Sequence, residues 1–106
     1  MQLTNKQIQT IIDYIDGCNQ MATDFGYQAS DLDQTYIRIL NEESANDFDG
    51  DGYSMVILVN FDDEDSCHLA GFMNDGRLDM IKSEVPERMY KDGDPIYYKE
   101  LMDMIK

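Results

Sequence analysis

The stretch Tyr53-Ser54-Met55-Val56-Ile57-Leu58-Val59-Asn60-Phe61 is apolar at almost every position, and it limits the fold more than any other part of the chain. It is far too short to cross a bilayer. It is rich in β-branched residues, as strands are. Successive side chains of a strand point to opposite faces, and both faces of this one are apolar. A strand of that kind belongs in the middle of a sheet rather than at its edge.

Three further segments carry strand signals: Thr35 to Leu40, Cys67 to Met73 and Arg77 to Lys82. The separators are turn-like. Asp47-Phe48-Asp49-Gly50-Asp51-Gly52 precedes the central strand, Asp62-Asp63-Glu64-Asp65 follows it, and Asn74-Asp75-Gly76 closes the third strand onto the fourth. Connections this short join antiparallel neighbours, so the middle of the chain predicts a three- or four-stranded antiparallel meander.

Helical signals lie on both sides of it. Thr4 and Gln7 have capping-box spacing, and Ile8, Ile11, Ile12, Ile15, Cys18 and Ala22 then recur at three- and four-residue steps along one stripe. Gly26 is a natural stop. After the strands, Pro86 to Tyr90 predicts a short helix ending before Gly93. Asp94-Pro95 then reads as an N-cap followed by a first-turn proline, with Tyr98, Leu101, Met102 and Ile105 as the apolar stripe of a last helix. The expected architecture is α+β: one domain over residues 1–106, with an N-terminal helix, the meander, and one or two C-terminal helices on one face of the sheet.

Charge narrows the function. The chain has 22 acidic and 8 basic residues, a net charge of -14, and a pI near 4.1. Residues 1–45 hold seven acids and two bases, residues 46–75 eight acids and no base, and residues 76–106 seven acids and six bases. Such a charge repels phosphate backbones and anionic lipid, which argues against direct nucleic-acid or membrane binding and favours a basic partner. With 42% apolar residues the chain has the mass for a core. Its start lacks a basic region and an apolar run, so a cytoplasmic location is expected.

The meander places Glu42, Glu43, Asp47, Asp49, Asp51 and Asp75 at one end of the sheet. It places Asp31, Asp33, Asp62, Asp63, Glu64 and Asp65 at the other, about 30 Å away for a nine-residue strand. Alternate residues of an extended segment lie roughly 6–7 Å apart, near the spacing of successive phosphates. Crowded like charges cost folding free energy. Either they keep the protein dissolved, or they are used to capture a basic groove.

In its size, its pI, its acid-only stretch 46–75 and its lack of catalytic motifs, the whole chain resembles the small acidic inhibitors that phages and mobile elements direct against host nucleic-acid enzymes. Anti-restriction proteins, anti-CRISPR proteins and uracil-glycosylase inhibitors belong to that class. Its members share no common fold or sequence pattern, so no residue role carries over. The resemblance implies a non-enzymatic protein that occupies the basic nucleic-acid site of a partner, a nuclease or defence effector.

Other chemistries fit poorly. Asp47-x-Asp49-x-Asp51-Gly52 has the front of a calcium loop, but Leu58 stands where the bidentate glutamate belongs, which leaves at most a weak cation site at 47–52. Asp62–Asp65 has no following lysine at the spacing of restriction-type nuclease motifs, and Gly50-Asp51-Gly52 lacks the third glycine and the helix of a phosphate loop. Cys67 and His68 are adjacent, so on a strand they face opposite sides and cannot share a zinc ion. Cys18 and Cys67 read as reduced, mostly buried thiols. No cofactor, metal or catalytic residue is expected. The expected contacts are Asp47, Asp49, Asp51, Asp62, Asp63, Glu64 and Asp65, supported by Phe48 and Tyr53. The competing expectation is an interaction or immunity module whose acids serve solubility alone.

Overall fold

The computed structural model describes residues 3–26, 31–48, 52–61, 68–90 and 93–105. Helix α1 (Asn5–Asp24) starts at the expected capping box: the Thr4 hydroxyl accepts from the Gln7 amide, and the Gln7 side chain accepts from the Thr4 amide. Four N-terminal amides of a helix lack partners within it, and this box satisfies two donors at the entrance. Gly26 closes the helix at φ +81, a conformation that side chains with a Cβ rarely adopt.

Five strands follow: β1 (Tyr36–Ile39), β2 (Met55–Asn60), β3 (His68–Asn74), β4 (Arg77–Lys82) and β5 (Ile96–Tyr97). They form one antiparallel sheet in the order β4-β3-β2-β1-β5, so the apolar run lies at its centre as expected. Ile57, Val59 and Met55 face one side with Ile37 and Met73, while Val56 and Leu58 face the other with Ala70 and Phe72. Strand alternation thus divides the interior into two apolar clusters separated by the sheet.

Helix α1 and the last helix α3 (Tyr98–Met104) cover the first face through Ile8, Ile11, Ile12, Ile15 and Leu101. The N-terminal helix is clasped to the β3–β4 turn, where the Gln7 side-chain Nε2 donates to the Asp75 carbonyl and the Thr10 hydroxyl to that of Gly76. The second face has its own cover: Ala45 and Phe48 from a short helix α2 (Glu42–Asp47), and Val85 and Met89 from the segment after β4.

Two features of the sequence reading change. No helix was expected between Leu40 and Tyr53, yet 42–47 is helical because Asn41 caps it: its side chain accepts from the Ser44 amide, and Glu42 and Glu43 fill the first turn, where the helix dipole favours anions. Asp94-Pro95 does not begin the last helix. Ile96 and Tyr97 instead pair with Ile37 and Tyr36, adding a fifth strand, and α3 starts at Tyr98 with Tyr97 at its N-cap. Proline has no amide to donate, which suits the position just before a short edge strand. Of the expected apolar stripe, Leu101 is buried and Tyr98 and Ile105 pack on the core, whereas Met102 is exposed.

Between β4 and β5 the chain crosses the second face, and Met89 is its buried anchor. Gly93 ends the crossing against β1. Its φ is +65, and a Cβ there would lie 2.9 Å from the Ile39 carbonyl oxygen, which is backbone and cannot step aside. Gly93→Ala is therefore expected to lower stability by about 1–2 kcal/mol, measured by urea denaturation. Truncating either cluster, as Ile57→Ala or Phe72→Ala, is expected to cost about 2–5 kcal/mol, and an unchanged urea midpoint for one of them would show that its face is not part of the cooperative core.

Candidate partner-binding surface

The meander brings residues 40–48, residues 52–54 and the β3–β4 turn to one end of the sheet, and residues 31–35 and Phe61 to the other. Glu42, Glu43, Asp47 and Asp75 therefore share the first end, and Asp31 and Asp33 lie at the second, matching the expected division. Asp49, Asp51, Asp62, Asp63, Glu64 and Asp65 lie outside the described residues, as does Cys67. The separation of the ends is smaller than expected, because β2 has six residues and spans about 20 Å.

Each described acid sits in a definite local setting. Asp47 is the last residue of α2 and forms an ion pair with Arg88 of the crossing segment at 3.5 Å, tying α2 to that segment over the second face. Asp75 occupies the β3–β4 turn at φ 56, a backbone region that aspartate tolerates better than most residues, and its amide donates to the Ser54 hydroxyl at 2.7 Å. At the opposite end the Asp31 carboxylate accepts from the Asp33 amide, and Asp33 pairs with Lys99 of α3 at 2.8 Å. The hydrogen bond to Asp33 and its charge hold the Lys99 ammonium above its ordinary range.

Two aromatic contact candidates are part of the fold. Phe48 and Tyr53 are half-buried, with ring centroids 5.7 and 5.3 Å from that of Phe72, and the Lys82 ammonium lies over the Phe48 and Phe72 rings. Their rings cover the second cluster, which leaves only their outer edges for any partner.

At the β1–β5 side of the same face lies a group the sequence reading did not single out. Tyr36 and Tyr97 are cross-strand partners with ring centroids 5.4 Å apart, and the Asn60 amide donates to the Tyr36 hydroxyl. The Arg38 guanidinium carbon sits 5.5 Å from the centre of the Tyr36 ring, and its Nη1 donates to the Gly93 carbonyl. The signal was the alternation Tyr36-x-Arg38 in β1, but placing Tyr97 beside it requires knowing of β5.

No set of three or more histidine, cysteine, aspartate or glutamate side chains is placed to hold a metal ion among the described residues. Asp47, the first position of the calcium-like loop, belongs to a helix. No helix among the described residues is long and apolar enough to cross a membrane. No protein-family model, curated protein or solved structure matches the chain.

Both cluster ion pairs are well exposed, so solvent screens them. Arg88→Ala and Lys99→Ala are each expected to change stability by less than about 1 kcal/mol, read from the urea midpoint. Tyr98 behaves differently. Burial and its 2.8 Å hydrogen bond to Asp16 push its phenol from 10.0 up to about 12. A group whose pKa is raised on folding contributes stability that is complete below its unfolded value and lost as the pH climbs through the folded one. Stability should thus fall between pH 10 and about 12. Tyr98→Phe should lessen that fall, and Tyr14, also raised by burial, accounts for part of the remainder. An alkaline unfolding profile identical in Tyr98→Phe and the parent would contradict this assignment.

Proposed function

We propose that this protein is a non-enzymatic binding protein that inhibits a nucleic-acid-binding protein, of anti-restriction or anti-CRISPR type, by filling its basic groove in place of the nucleic acid. The observation that carries the reading is the acid-only stretch 46–75 in a chain of net charge -14. Described acids at both ends, Glu42 and Glu43 at one and Asp31 at the other, are exposed on its surface. A field of this sign raises encounter rates with a basic cleft by roughly 10- to 1,000-fold and falls away with salt. Its place of action is the cytoplasm, where such targets work on nucleic acid.

A second reading has its own support. Asp47 and Asp33 are each paired with a base of the same chain, as acids on an ordinary solubilising surface are. In that reading the protein is an interaction or immunity module, and recognition rests on apolar contact.

Salt and competition separate the two. Immobilised protein is exposed to a cell lysate depleted of nucleic acid, and the retained proteins are eluted either with a salt gradient or with duplex DNA. Groove occupation predicts retained nucleic-acid-binding proteins that leave within a few hundred millimolar salt, where the screening length is below about 8 Å, and that duplex DNA displaces. Replacing Asp62, Asp63, Glu64 and Asp65 together by their amides should abolish that retention while leaving the thermal midpoint in place. Retention that survives molar salt and excess DNA would overturn the proposal in favour of the solubility reading.

A further inference from the structure

The two edges of the sheet are built differently. At one, β5 offers only two residues and follows Pro95, which has no amide to donate, so little backbone is open there. At the other, β4 ends the strand order with six residues, and no strand among the described residues pairs its outer side. Alternate residues of such a strand turn their N–H and C=O groups away from the sheet. Among the described residues, the backbone of Arg77 to Ile81 has no hydrogen-bond partner on that side.

Both apolar clusters run out to this edge. Leu78 packs against the first and Met80 against the second, each half-buried, although residues two apart on a regular strand share a face. The cause is a bulge: the register with β3 shifts between Phe72 and Met73, and Asp79 is the extra residue. Ile81 stands opposite Gly71, whose absent Cβ would point at Ile57 and Leu78, so Ile81 belongs to the first face, where it is 38% exposed. Charged side chains are what normally keeps other strands from an edge of this kind. Here they are engaged within the protein: the Arg77 Nε donates to Asp79 at 2.6 Å, and the Lys82 ammonium lies over the Phe48 and Phe72 rings.

We propose that the outer edge of β4 is a strand-docking site, which takes an extended, basic segment of a partner protein as a sixth strand of the sheet. The backbone between Leu78 and Ile81 provides the hydrogen bonds, and the side chains of Leu78, Met80 and Ile81 provide apolar contact on both faces for alternate residues of the guest. The charge provides the selection. A second copy of the chain, at net charge -14, is repelled, whereas a segment bearing lysine or arginine is attracted and meets the exposed Asp75 and Glu84 at the two ends of the strand. Preference for a basic guest rests on the basic partner proposed above, and strand docking does not require that partner's groove.

Docking is read in the intact protein by NMR, as the shifts and hydrogen-exchange rates of its backbone amides at constant ionic strength. The probe is a capped Lys-Val-Lys-Val-Lys-Val peptide. Its references are a capped Glu-Val-Glu-Val-Glu-Val peptide, of opposite charge, and a capped Lys-Pro-Lys-Pro-Lys-Pro peptide, which keeps the charge but cannot pair as a strand. The expected result is saturable binding of the lysine–valine peptide, with at least one amide between Arg77 and Lys82 exchanging about tenfold more slowly and those of Ile96 and Tyr97 unchanged. Ile81→Lys removes apolar contact and adds a cation at an exposed edge position, and it should weaken that binding by at least about fivefold. The proposal is overturned if the β4 amides do not slow, if either reference peptide slows them equally, or if a folded Ile81→Lys binds as well as the parent. Slowing that follows protein concentration without peptide would make a second copy the guest and overturns it too. Should Ile81→Lys not fold, the three titrations of the parent protein decide. None of these outcomes bears on the retention of nucleic-acid-binding proteins, so failure here is distinct from failure of groove occupation.

Discussion

The two-sided burial of β2 is the constraint on which the rest of the structure depends. Met55, Val56, Ile57, Leu58 and Val59 are all buried, so each face of the sheet needs its own cover. The chain supplies one long helix, α1. One face receives α1 and α3, and the other receives α2, Phe48, Tyr53 and the crossing segment with Met89. The second cover is made of short pieces, and it is tied down by polar contacts: Arg88 to Asp47 and Arg38 to Gly93. Apolar burial thereby fixes where the protein must spend its few bases.

That distribution bears on the acidic surface. Because residues 46–75 contain no base, any neutralisation of their acids within the molecule must come from elsewhere in the sequence. Arg88 does this for Asp47 across the crossing segment. Among the described residues the sheet ends therefore carry both paired and exposed acids. Attraction to a basic groove would be broad and poorly directional, since screened point charges at similar spacing are interchangeable.

Local patterns made much of the fold legible. The capping box at Thr4, the isoleucine stripe of α1, the central position of β2 and the turn at Asp75-Gly76 all depend on residues within a few positions of one another. The last helix was misplaced by three residues because Asp94-Pro95 is a good local start. The backbone of Ile96 and Tyr97 has a better use at the open edge of β1, and that competition is invisible in a window of sequence. Helix α2 was legible in principle from Asn41 and the two glutamates after it, but the aspartate and glycine density that follows masked the signal. The Arg38 group was legible only as the alternation Tyr36-x-Arg38, since its other members come from β2, β5 and the crossing segment.

The pairing of β5 with β1 has a consequence for synthesis. These partners lie about 60 residues apart in the sequence, whereas β1 to β4 also pair with the strand that precedes or follows them. As the chain leaves the ribosome, the meander and α1 can assemble early, but the outer edge of β1 stays open until Ile96 and Tyr97 have emerged. Until then the nascent protein carries an exposed strand edge, the kind of surface on which another chain can add a strand.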